Sequence, residues 1–362
     1  MDIIANSGRL HESTPHDSAI KQVAGRADYV DDLLEPDGTL HAYFGLSTKA
    51  HAEIASLNLD DVRKAPGVVG VLTADDVPGE NDISSVHKHD EPLLAEGRVS
   101  YWGQPIFAVI GVTRDDARRA AKLAKIEYRD LPHATDIAAS LKAGGKLVTE
   151  PLKLERGDVE AGLAASEYHA KGNVVIGGQE HFYLESQIAL AIPGEDDEVY
   201  IHTSTQHPTE IQVMVAQVLG IPHAAVTVNM RRMGGGFGGK ETQGNLFAAT
   251  AALAAKKFGR AVKIRPDRDD DFQITGKRHD FVVSYDVGYN ADGKIQAVAA
   301  SFAARAGFSA DLSGPVTDRA LFHCDNAYWY PAVRVNSLPL YTNTVSNTAF
   351  RGFGGPQGLI AC

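Results

Sequence analysis

Five of the eight residues from Gly234 to Glu241 are glycine, in the string Gly-Gly-Gly-Phe-Gly-Gly-Lys-Glu. Glycine loses more backbone freedom on folding than any other residue, so such a run belongs where the chain must approach something very closely. An apolar, strand-like stretch at 226–230 precedes it, and an Ala-rich helical stretch at 244–257 follows. A strand–loop–helix unit is expected, with backbone N–H groups gathered in the loop. Three readings are open on these residues. A tight turn is one, although a turn needs one or two glycines and not five. A phosphate loop is another. Gly234, Gly239 and Lys240 keep its spacing, but Glu241 stands where a Ser or Thr hydroxyl should bind magnesium, and its carboxylate would oppose the nucleotide's charge. The third is a cradle for an oxo group or developing oxyanion, with N–H groups around Phe237 as donors. Glu241 then either meets a polar substrate or simply favours the helix dipole.

The 362 residues are enough for two or three domains with a core that needs no staples. Two zones differ in texture. In residues 20–135, strand-like runs (40–46, 68–72, 105–112, 126–128) alternate with helical ones (59–65, 115–125, the latter capped by Thr113). This zone reads as an α+β domain spanning 1–135. Residues 136–165, with scattered charges and glycines, read as a looser linker. A second α/β domain is expected over 166–362. Its strands are expected around Val174 and Ile176, around Phe182, Leu184 and Ile188, and at 198–203, 226–230 and 262–265. A helix opening at Pro208 carries the stripe Ile211, Met214, Val215, Val218 and Leu219 and stops at Gly220.

The net charge of −11 argues against nonspecific nucleic-acid binding, which needs a positive face. The longest nearly apolar stretch, 246–255, is about half a bilayer span. The first eight residues lack the basic and apolar segments of a signal peptide, so a cytoplasmic location is expected. Two cysteines, Cys324 and Cys362, cannot build a disulfide framework, a four-cysteine zinc site or an iron–sulfur cluster. Any cluster is expected on another chain. The fourteen histidines show no zinc spacing.

Other residues enlarge the constellation. Gln206 follows the strand ending at Thr203, at the edge where open α/β sheets bind ligands, though helix capping or solvent exposure would also explain it. A second glycine-rich loop, 348–357, sets Arg351 between Phe350 and Phe353. The Arg suits an anion and a Phe suits an aromatic ring, or both rings pack in the core. Arg319 on its own reads as a surface residue paired with Asp318.

Taken together, the strings Gly177-Gly178-Gln179-Glu180-His181-Phe182-Tyr183-Leu184-Glu185, Ser204-Thr205-Gln206, Met233 through Glu241, Arg319-Ala320-Leu321-Phe322-His323 and Ser346 through Gly358 resemble the molybdenum hydroxylases of the xanthine oxidase family. Tyr29-Val30-Asp31-Asp32, Ala50-His51-Ala52 and Gly103-Gln104-Pro105 resemble that family's α/β hammerhead domain. The rest resembles the start of its molybdopterin-binding region.

The resemblance implies roles. Gln206, Gly236, Phe237, Gly238 and Arg351 would contact the molybdenum–molybdopterin cofactor. Gln206 would reach an oxygen ligand of the metal, Phe237 would use its N–H, and Arg351 its backbone. Glu241 and Arg319 would bind and polarise a purine, and Phe353 would pack on its ring. Their pairing favours the xanthine branch over the aldehyde oxidases, and the absence of Cys from 349–353 argues against the carbon monoxide dehydrogenases. The implied reaction is oxidation of hypoxanthine and xanthine to urate in purine catabolism, with oxygen from water. Electrons would pass to two-iron clusters and FAD on a partner subunit, then to NAD, within a larger hetero-oligomer. In this family a base glutamate and a second ring-packing Phe lie beyond the position of Cys362. The chain is therefore expected to be roughly the first half of its subunit, to hold no catalytic base and to be inactive alone. The competing expectations are a noncatalytic assembly homologue and an aldehyde-oxidising member.

Overall fold

The computed structural model describes residues 10, 11, 13–86 and 88–362. The first eight residues, weighed above for a signal peptide, therefore lie outside the described residues. Three sheets organise the chain. The largest has seven strands, in the order Val226–Asn229, Val199–Thr203, Ala189–Pro193, Val262–Ile264, Leu40–Leu46, Pro105–Gly111, Val68–Leu72. Pro105–Gly111 is buried along its whole length, as its unbroken apolar run requires.

The seam of this sheet joins the two zones of the sequence. Leu40–Leu46 pairs in parallel with Val262–Ile264, so strands from both halves of the chain share one hydrogen-bonded layer. The helices Pro208–Leu219 and Gly244–Phe258 cover it. The expected stripe of the first is buried at all five positions, and Gly220 closes it in a left-handed conformation. The second buries Phe247 and a run of alanines, whose small side chains let the helix lie close to the strands.

A five-stranded sheet follows, ordered Lys153–Arg156, Ala332–Tyr341, Ile295–Gly307, Phe281–Tyr289, Tyr168–Ile176. The segment 136–165, expected as a loose linker, is folded into this layer. It holds the helices Ile137–Lys142 and Val159–Ala164, capped by Asp136 and Asp158, and the edge strand Lys153–Arg156. Its charges face outward while Leu152 and Leu154 pack on the sheet's core, a pattern that composition alone does not separate from a linker. A small third sheet joins Arg98–Val99, Ala52–Asn58 and Lys125–Asp130.

Two other expectations change. The helix after Thr113 ends at Ala121, because the strand Lys125–Asp130 needs the residues assigned to its last turn. Phe182 and Leu184 lie outside the named strands and are 59% and 86% exposed. Phe182 has φ of +50°, which breaks the extended run there.

Two helices near the C-terminal end bear on the site. Ser313–Phe322 carries Arg319, and Gly355–Ile360 follows the second glycine loop. His279 ties them together. Its Nε2 lies 2.8 Å from Ser313 Oγ at the start of one helix, and its carbonyl accepts from Gln357 of the other. Burial pushes this imidazole down to about 3. The unfolded chain protonates the same ring near pH 6.5, and a depressed folded value means stability present above 6.5 and lost as pH falls toward 3. The limiting slope is about 1.4 kcal/mol per pH unit. Urea denaturation of wild type and His279→Asn should show their stability difference shrinking by about 2 kcal/mol between pH 7 and pH 5.

Candidate functional site

The strand Val199–Thr203 delivers Ser204, Thr205 and Gln206 to the carboxyl end of the large sheet. The neighbouring strand Val226–Asn229 delivers the glycine loop to the same end, since the two run parallel. Gln206 is pinned by its backbone: its N–H donates to the Lys240 carbonyl at 2.7 Å. Its side-chain oxygen accepts from the Gly238 N–H at 2.8 Å. A Cβ at Gly236 would lie 2.5 Å from that oxygen, so a side chain there would push the amide from this position. With the oxygen engaged, the Gln206 NH2 group makes no hydrogen bond among the described residues. The N–H of Phe237, a residue held at φ of +56°, makes none either.

The second glycine loop closes on the first. Arg351 N–H donates to the Phe237 carbonyl at 2.8 Å, and Thr242 and Thr348 meet at 3.2 Å. Gly238 has φ of +98°, and a Cβ there would lie 2.7 Å from the carbonyl carbon and oxygen of Ala349. Gln206, Gly236, Phe237, Gly238 and Arg351 are thus brought together. The Arg351 backbone is already committed within the protein: its carbonyl also accepts from Arg278 at 2.8 Å, leaving one lone pair for a ligand. The Arg351 side chain is exposed.

The three expected substrate residues surround these loops. Glu241 follows one turn after Gly238, half-buried, and its carboxylate accepts no hydrogen bond among the described residues. Burial raises its affinity for a proton; His207 opposes that and Glu210 adds to it. Phe353 is half-buried at φ of +49° in the turn beyond Arg351. Arg319 is exposed, and its Nε would lie 3.8 Å from a Cβ at Gly355, just past Phe353. The ion pair with Asp318 is not made, and Arg319 has no ion-pair partner among the described residues. Glu241 and Arg319 are not within ion-pair distance of each other.

Sequence reasoning missed the residues beneath the loops. Lys240 is fully buried, and its ammonium donates to the Glu185 carbonyl at 2.7 Å and to Ser204 Oγ at 2.8 Å. Burial pushes it down to about 8 despite the nearby Glu185 carboxylate. It is not available to a phosphate, which removes the phosphate-loop reading. His181 lies under both loops, with Nε2 2.7 Å from the Ala349 carbonyl and its ring 4.6 Å from that of Phe350. The Arg278 guanidinium also lies over the Phe350 ring, 3.9 Å from its centre. The signals for this layer were the 177–185 string, whose Glu and His stand at no motif spacing of their own, and Lys240 itself, read there only as a phosphate-loop lysine.

The donor set defines a class of site: an unpaired backbone N–H and an unpaired amide NH2, in loops of glycine, suited to a group rich in oxygen acceptors. A cradle of this kind fits an oxygen-ligated molybdenum cofactor. Residues 142–362 match the molybdopterin cofactor-binding domain family, and residues 24–132 match the aldehyde oxidase and xanthine dehydrogenase a/b hammerhead domain. The chain therefore belongs to the molybdenum hydroxylases, the aldehyde oxidase and xanthine dehydrogenase family, with a hammerhead domain followed by a molybdopterin-binding domain. It is 43% identical over 362 residues to a xanthine dehydrogenase of Oryza sativa subsp. japonica, covering 99% of this chain and 26% of that protein. It is 42% identical over 347 residues to the xanthine dehydrogenase/oxidase of Mus musculus, covering 96% and 26%. The aldehyde oxidoreductase of Desulfovibrio gigas superposes with a TM-score of 0.87 at 27% identity, over 96% of this chain and 40% of that one. The chain thus spans about a quarter of the length of these curated relatives.

Two outcomes follow from the geometry. Gly238→Ala should lower stability by ~1–3 kcal/mol from backbone strain alone, read by thermal unfolding. Titration with MgATP should show no saturable binding in the micromolar range, because Lys240 is spent inside the protein.

Proposed function

We propose that this chain forms the cofactor cradle and part of the substrate pocket of an enzyme that oxidises hypoxanthine and xanthine to urate. The observation that carries the reading is a pair of opposite charges left uncommitted beside the cradle. Neither Glu241 nor Arg319 makes a hydrogen bond or ion pair among the described residues, so both stay available to a ligand. Kinship with xanthine dehydrogenases at 42–43% identity supports the same substrate class.

The molybdenum–molybdopterin group, when bound, supplies the two-electron oxidation and delivers a water-derived oxygen to the purine. The residues of this chain hold and polarise. Gln206 donates through its free NH2 and Phe237 through its free N–H to oxygen ligands of the group. Arg351 closes the cradle through its backbone. Phe353 offers a ring face to the planar substrate. Glu241 accepts hydrogen bonds from the purine edge. Burial raises its affinity for a proton above that of a free glutamate. Arg319 stays cationic at any working pH and stabilises the negative charge that gathers on the ring as its carbon is attacked. The balance is xanthine plus water giving urate, with two electrons and two protons leaving. Those electrons pass to two-iron clusters and FAD on an accompanying chain or domain, and finally to NAD. No helix among the described residues is long and apolar enough to cross a membrane.

The test uses the complete enzyme. Arg319→Met should lower xanthine turnover roughly a hundredfold or more, the usual cost of one lost transition-state donor. Molybdenum content should not change. Aromatic aldehydes, which gather less charge and need no such donor, should be spared. Glu241→Val should act in the same direction. Equal losses on xanthine and aldehyde for Arg319→Met would overturn the assignment.

A further inference from the structure

The glycine loop begins at Gly234 and ends at Lys240, and one largely covered side chain, that of Glu185, reaches both ends. Glu185 Oε2 accepts from the Gly234 N–H at 2.6 Å and from Ser204 Oγ at 2.7 Å. The same oxygen lies 3.6 Å from Lys240 Nζ. Lys240 Nζ in turn donates to Ser204 Oγ and to the Glu185 carbonyl, and sits 4.6 Å from the centre of the Tyr183 ring. Ser204 is therefore shared, donating to the carboxylate and accepting from the ammonium. The Lys240 carbonyl completes the circuit by accepting from the Gln206 and Thr205 side of the neighbouring strand. The polar groups of this ring are engaged with one another, while the Gln206 NH2 and the Phe237 N–H are left free.

Burying an ion pair is a poor route to stability, because desolvation offsets most of the attraction. An apolar pair of the same volume would hold the sheet as well. It would not fix the direction of the Gly234 N–H or the height of Ser204. Those two determine where Phe237 and Gln206 present their free donors. Donors aimed at an oxygen ligand lose most of their effect when displaced by about 1 Å.

We propose that Glu185, Ser204 and Lys240 form a positioning triad that sets the spacing between the Gln206 amide and the Phe237 N–H. The proposal rests on the reading of those two donors as the cofactor's contacts. None of the three residues is among those assigned above to the cofactor or the substrate. Their effect passes through the two ends of the loop.

The experiment uses the complete enzyme and compares Glu185→Leu/Lys240→Met with wild type. The double variant removes both charges together and leaves neither one buried alone. Backbone amide exchange over 232–243, read by mass spectrometry, should quicken about tenfold, and molybdenum content should fall about tenfold, in the range usual for groups that orient ligands. The unfolding temperature should stay close to that of wild type. The Mo(V) electron paramagnetic resonance signal of the molybdenum that remains should shift. Wild-type exchange, metal content and signal in a folded double variant would overturn the proposal. Should that variant not fold, Ser204→Ala decides, because it leaves the ion pair in place. Its expected result is a kcat several-fold lower with KM unchanged and a shifted signal, and an unchanged kcat and signal would overturn the proposal. A wild-type enzyme without molybdenum would instead sink the functional reading, while the exchange measurement would still judge the triad.

Discussion

The contact between two glycine loops, with the Arg351 N–H on the Phe237 carbonyl and Gly238 against Ala349, governs the rest of this structure. Backbone can meet backbone at this distance only where no Cβ intervenes. The meeting spends the Phe237 carbonyl and leaves its N–H free. The Gly238 N–H then takes the Gln206 oxygen and leaves that amide's NH2 free. One close approach thereby sorts the polar groups of two loops into those that hold the protein together and those left for a ligand.

The fold brings about this meeting by parallel pairing. Val199–Thr203 and Val226–Asn229 run the same way, so Gln206 and the glycine loop emerge at one end of the sheet. The Ala349–Arg351 loop arrives from the five-stranded sheet by way of the segment after Ala332–Tyr341. Arg278, beyond the large sheet's last paired strand, binds that segment back through the Arg351 carbonyl, and the His279 carbonyl holds Gln357 just past it. The two halves of the chain also share the large sheet through the pairing of Leu40–Leu46 with Val262–Ile264. The cradle therefore belongs to the whole layered structure and cannot be assigned to a single loop.

Charge follows the same division. Lys240 is buried and matched against Glu185 below the loops, where a lone ammonium would be costly. Arg319 and Glu241 remain unmatched above, within reach of water, where keeping a free charge costs less. Arg278 covers the Phe350 ring without a carboxylate partner among the described residues, which stiffens the second loop by stacking.

Much of the framework was legible in the sequence by itself. Periodicity placed the helices at Pro208 and Gly244 and the strands around 40, 68, 105, 199, 226 and 262, because burial on one face imposes a local pattern. The two glycine loops and Gln206 were legible as well, since close approach demands residue types that have few other uses. Tertiary structure alone decided which donors stay free, that Lys240 turns inward to Glu185, and that Arg319 does not pair with Asp318. It also folded 136–165 into a sheet and turned Phe182 and Leu184 outward. Each of these depends on a partner far away in the chain. Sequence patterns report how a residue meets its neighbours a few positions away, whereas a hydrogen bond made or left open is settled by what the fold brings from elsewhere.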